Sequence, residues 1–163
     1  MTASSTAKDS ATTRSATAGA GGAAAGRLPL GGLLRVSLGA TALAAAATEA
    51  LTAVVRAAGV QLAVGDPGGS AASVVPVDVG ACAISVAMSM VVGTVIAALI
   101  NRRSSRPART YRRVTGVLVL LSLVAPLTAA ATSTPTRLTL IATHLVAAAV
   151  IVPMVARRLP RTR

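Results

Sequence analysis

Taken from end to end, the chain specifies an all-α protein: a four-helix transmembrane bundle behind a disordered N-terminal tail. Three observations lead there. Of 163 residues, 53% are apolar and 12% charged, and a mean hydropathy of +0.72 is too high for an ordinary soluble domain. The apolar residues gather in four continuous stretches, each near the roughly 20 residues a helix needs to cross about 30 Å of hydrocarbon. The basic residues number 16 against 4 acidic ones, a net charge of +12, and nearly all flank those stretches on one side. So basic a composition also raises the question of nucleic acid. Base recognition usually draws on aromatic platforms, however, and among Phe, Trp and Tyr the chain holds one residue, Tyr111. No nucleic-acid partner is expected; the lipid bilayer is.

Residues 1–26 include 22 that are Ala, Ser, Thr or Gly. They cannot build a core that offsets the entropy of ordering them, so they read as a disordered low-complexity tail. A membrane domain over residues 27–158 follows, then a basic C-terminal tail at 159–163. Within the domain the predicted spans are 33–55, 79–100, 114–131 and 138–156, the third being short and carrying Pro126. Their apolar runs are continuous rather than alternating, which excludes barrel strands. A lipid-embedded run must satisfy its backbone internally, which makes each one a helix. The link after the first span contains the turn signal Gly65-Asp66-Pro67-Gly68-Gly69, and residues 59–64 before it either prolong the helix or lie on the membrane surface. Asp78 stands where it can cap the second helix. The short connection at 132–137 makes the last two spans antiparallel neighbours. A rival for the first span is a secretory signal, with Arg35 before residues 36–47 and Ala45-Ala46-Ala47 as its cleavage site. Cleavage there would leave three spans, but the apolar run continues well past Ala47.

Orientation follows from the positive charges. Lys8, Arg14, Arg27 and Arg35 stand at the front of the first span. Arg102, Arg103, Arg106, Arg109, Arg112 and Arg113 separate the second from the third, and Arg157, Arg158, Arg161 and Arg163 follow the fourth. Only Arg56 and Arg137 fall on the other side. The expectation is a multi-pass protein of the plasma membrane with both termini cytoplasmic. The six arginines at 102–113 would also contact anionic lipid headgroups.

The run RRSSRPARTYRRVTGVLVLLSLVAPL at 102–127, followed by THLVAAAVIVP at 143–153, resembles a family of small four-span membrane proteins from high-GC Gram-positive bacteria. That family is described as a domain of unknown function. The resemblance spans roughly residues 33–158 and implies the four-span topology. It assigns no reaction and no residue roles.

Ionisable groups inside spans are costly, so each needs an account. Glu49 and His144 both lie six residues below the outer ends of their spans, or roughly 9 Å at 1.5 Å per residue. Equal depth predicts an intramembrane pair, with Ser85, Ser122 and Pro126 as pocket neighbours, Pro126 leaving the Ser122 carbonyl short of a donor. The pair serves either as an interhelical bond that fixes register or as a proton-linked site, and Arg56, seven residues after Glu49 on nearly the same face, competes as its partner. Ala81, Ser85, Ser89, Gly93 and Ala97, each four apart, form a helix-packing stripe, inside the bundle or against a homodimer or another membrane protein. With one His and one Cys, the chain assembles no ordinary zinc-type cluster, and Cys82 reads as a small apolar group. No metal, cofactor or catalytic set is predicted and no enzymatic activity is expected. The function expected is structural or accessory, with a basic cytoplasmic face. The alternative is a small proton-coupled transporter using Glu49. Small multidrug-resistance transporters also pair four spans with a first-helix Glu, but this chain lacks membrane aromatics for cationic drugs.

Overall fold

The computed structural model describes residues 27–161, and the tail expected over residues 1–26 lies outside them. Four helices are long and apolar enough to cross a membrane. Helix α1 (Leu30–Ala57) begins just after Pro29, whose carbonyl accepts from the Leu33 amide at 3.1 Å. It ends in a Schellman turn: Gly59 at φ 84° donates to the Arg56 carbonyl, and Val60 to that of Val55. The helix thus stops before residue 60, and residues 63–64 are a strand. Strand β1 (Ala63–Val64) pairs antiparallel with β2 (Val75–Pro76), with a 3-10 turn at Ala71–Ser73 between them. This hairpin docks on the connection between the last two helices. Gly68 donates to the Thr128 carbonyl and Ala130 to that of Asp66. Gly65 sits so close that a Cβ there would run into the Ala130 carbonyl.

Helix α2 (Ala81–Arg103) is followed by a connection of residues 104–106 and then by α3 (Pro107–Ser122), with Pro107 in its first turn. The arginines at 102–113 are therefore largely helical, and the third span starts at Pro107 rather than at residue 114. Long basic side chains can extend along a helix while their charged ends reach out of the apolar layer. Near Leu123 the helix breaks, and α4 (Val124–Thr128) completes a 22-residue candidate span. Pro126 has no amide for the Ser122 carbonyl, which fits the break. Helix α5 (Thr134–Arg158) is capped by Ser133, whose hydroxyl accepts from the Thr136 amide. Leu159 and Pro160, expected to open a tail, belong to the bundle: Leu159 is buried, and the Pro160 carbonyl accepts from the Ala108 amide at 3.1 Å.

The helices pack in the ring order α1, α2, α3, α5, with α1 against α5 the most extensive contact. Away from the arginine end, the buried residues of α1 and α5 are small or hydroxylated: Ser37, Ala40, Ala44, Thr48 and Thr52 on α1, and Thr136, Thr139 and Thr143 on α5. Small side chains let membrane helices approach closely. Thr48, Thr52, Thr139 and Thr143 each return their hydroxyl proton to a carbonyl of their own helix, at 2.8–3.0 Å. Large apolar residues point outward, with Leu38 70% and Leu120 69% exposed. A small, hydroxylated inside under an oily outside is the arrangement that a lipid solvent favours. At the arginine end the bundle is plugged by Leu33, Ala97, Ala108, Tyr111, Val155, Ala156 and Leu159, which come from all four long helices and the residue after α5.

Candidate functional site

Helix α2 begins without a cap of its own. Its N-cap is Gly80, at φ 89°, and no side chain at that position closes the first turn. Asp78, expected to do so, contributes its backbone carbonyl to the Ala81 amide. The exposed amides are met from another helix. Glu49 on α1 accepts from Gly80 N at 3.1 Å through Oε2 and from Ala83 N at 2.9 Å through Oε1. A carboxylate on unsatisfied amides at the positive end of a helix is favoured by both hydrogen bonding and the helix dipole.

Arg56 completes the arrangement, two turns further along α1. Its Nη2 donates to the carbonyls of Val77 at 2.8 Å and Asp78 at 3.1 Å, and its Nη1 to Thr52 Oγ1 at 3.4 Å. One helix thus offers an anion to the amides and a cation to the carbonyls of a single backbone segment, 77–83. The segment that turns the chain back into the membrane is clamped at both of its polar faces.

His144 goes elsewhere. Its Nδ1 lies 2.7 Å from the Leu140 carbonyl of its own helix. A carbonyl can only accept, so in this contact Nδ1 is the donor. The expected Glu49–His144 pair is therefore replaced by two separate arrangements, because equal depth does not set the direction each side chain takes around its helix. His144 instead lines a cavity of about 740 Å³ between α2, α3 and α5, together with Ser85, Ser122 and Cys82. Glu49 and Pro126 are not among its lining residues. Ser122 donates its proton to the Val119 carbonyl at 2.7 Å.

The small stripe on α2 meets the same cavity. Ala81, Ser85, Ser89 and Gly93 line it, Ser85 and Ser89 are exposed, and only Ala97 is buried. Within the bundle, buried small residues at the same four-residue spacing lie on α1, at Ala44, Thr48 and Thr52. That pattern was legible in the sequence. So was the threonine run on α5. Asn101 was less so: its Nδ2 donates to the Leu28 carbonyl at 2.8 Å and its Oδ1 accepts from the Leu28 amide at 3.4 Å, tying the start of α1 to the end of α2. Tyr111 is 1% exposed at the closed end of the bundle.

At the arginine end, Arg109 and Arg112 of α3, Arg157 of α5 and Arg161 beyond it line a hollow of about 420 Å³. Among the described residues no three His, Cys, Asp or Glu side chains gather in a set that could hold a metal ion.

Four apolar helices, a lipid-type surface and a backbone clamp at one end define a multi-pass, four-helix transmembrane protein. Within that class, the chain belongs to a family of unknown function (DUF6069), which it matches over residues 29–161. The stretches 102–127 and 143–153 lie inside the matched segment. Comparison with curated proteins and with solved structures gave no match.

Proposed function

We infer that the protein is a structural or accessory component of the plasma membrane, non-enzymatic, with both termini and the arginine end in the cytoplasm. The observation that carries this reading is the use made of Glu49. A carboxylate that couples proton movement must exchange its proton freely between the two sides. Here both oxygens accept backbone amides of α2, and protonation would take away acceptor capacity that the helix start depends on. In this reading Glu49 is a fixed part of the architecture. Arg102, Arg103, Arg106, Arg109, Arg112 and Arg113 then lie against an anionic leaflet, each adding about 1 kcal/mol of attraction.

The test uses purified protein in liposomes. Proton movement driven by cationic dyes is compared between wild type and Glu49→Gln, alongside thermal stability in detergent. The expected result is equal, background proton movement in both, with a lower unfolding midpoint for Glu49→Gln. Dye-driven proton flux in wild type that the substitution abolishes would overturn the accessory reading in favour of transport.

A further inference from the structure

The hollow at the arginine end is lined by four exposed arginines, two on α3, one in the last turn of α5 and one just beyond it. A charge bias that sets topology explains why arginines lie at this end, but not why these four converge on one space. The fold sets their backbone positions, and the four side chains are exposed. Arg109 and Arg112 sit one turn apart on α3, whose first turn carries no acidic residue. Arg157 lies in the last turn of α5. Arg161 follows the segment fixed by buried Leu159 and by the bond from the Ala108 amide to the Pro160 carbonyl.

The arginines of α3 and α5 have no carboxylate on their own helices. Cations near a helix C-terminus are favoured, which suits Arg157, but cations at a helix N-terminus meet the positive end of the dipole. Arg106 is the N-cap of α3 and Arg109 lies in its first turn, with Arg112 and Arg113 one turn further on. No acidic residue occurs anywhere in the sequence after Asp78, so neither α3 nor α5 can supply a counter-charge. Glu49 is engaged at the opposite end of the bundle. A planar guanidinium presents paired donors whose spacing matches two oxygens of a phosphate. The hollow also falls within the roughly 300–1,000 Å³ typical of small-ligand sites.

We propose that this hollow is a binding site for a phosphate group, held by Arg109, Arg112, Arg157 and Arg161. The phosphate belongs either to an anionic lipid headgroup or to a soluble phosphate anion. For the lipid source, the proposal rests on the placement of the arginine end against a leaflet inferred above, and it sharpens diffuse attraction into a discrete site.

The test measures the unfolding midpoint of the full-length protein in neutral detergent against increasing phosphatidylglycerol, phosphatidylcholine or inorganic phosphate. Phosphatidylglycerol, inorganic phosphate or both should raise the midpoint saturably, and phosphatidylcholine should not. The half-effect concentration should rise at least tenfold in Arg109→Gln/Arg161→Gln and again in Arg112→Gln/Arg157→Gln. In Arg27→Gln/Arg35→Gln, which removes the same charge at the same end outside the hollow, it should stay within twofold. A response to the lipid alone identifies a headgroup site; a response to inorganic phosphate identifies a site for the soluble anion. Equal weakening in all three double variants would overturn the site and leave the basic-face reading standing. No saturable response to either anion would overturn the site, and indifference of wild type to phosphatidylglycerol would overturn the basic-face reading with it.

Discussion

Glu49 shows what a single ionised residue can do inside a membrane bundle. Its nearest sequence neighbours are apolar or small, and a lone carboxylate in that setting is a costly group. The cost is offset by two charge-assisted bonds to amides that would otherwise be unsatisfied at the start of α2. Replacing Glu49 by Ala should therefore lower stability by about 1–3 kcal/mol. It should also raise the hydrogen-exchange rate of the Gly80 and Ala83 amides selectively. Unchanged exchange at those two amides would contradict the capping role, whatever happened to the midpoint. The sequence singles out Glu49 and offers it His144 or Arg56, whereas its hydrogen bonds go to the amides of Gly80 and Ala83. Depth along a helix can be counted from the sequence; rotation about the helix axis depends on which neighbour the helix packs against.

At the level of elements, the tightest association is made by small side chains. The close packing of α1 against α5 and α2 is helped by the buried Ala40, Ala44, Thr48 and Thr52, which hold no bulk that would keep backbones apart and whose threonine hydroxyls are satisfied within their own helix. Ala44 is 0% exposed, whereas Leu38 on the same helix is 70% exposed. Ala44→Leu should thus cost about 1–3 kcal/mol by overpacking, while Leu38→Ala should stay within about 0.5 kcal/mol. Thermal unfolding in one detergent checks both, and a larger loss for Leu38→Ala would contradict the packing described. The four helices were legible because twenty apolar residues in a row leave few alternatives. Their ends were less so. Helix α3 starts at Pro107, amid arginines that hydropathy counts against a span, and the hairpin of β1 and β2 has only two residues per strand, too few for a period to show. The α2 stripe had the spacing of a packing face, yet spacing alone does not say whether a partner helix or a cavity lies opposite.

For the molecule as a whole, the two ends are built differently. One is closed by a plug around Tyr111 and surrounded by arginines; the other is closed by the hairpin docked on the α4–α5 connection and clamped by Glu49 and Arg56. Between them lies the cavity lined by His144, Ser85 and Ser122. In the orientation proposed above, these two ends face opposite sides of a membrane, with the arginine end inside the cell. Cysteine labelling tests this most directly, using a Cys82→Ser background with either Ser70→Cys, in the exposed loop before β2, or Ser105→Cys, in the exposed connection between α2 and α3. The account predicts that a membrane-impermeant maleimide modifies the Ser70→Cys chain in intact cells and the Ser105→Cys chain only after the membrane is opened. Labelling of both from the same side, or of the Ser105→Cys chain alone in intact cells, would contradict it.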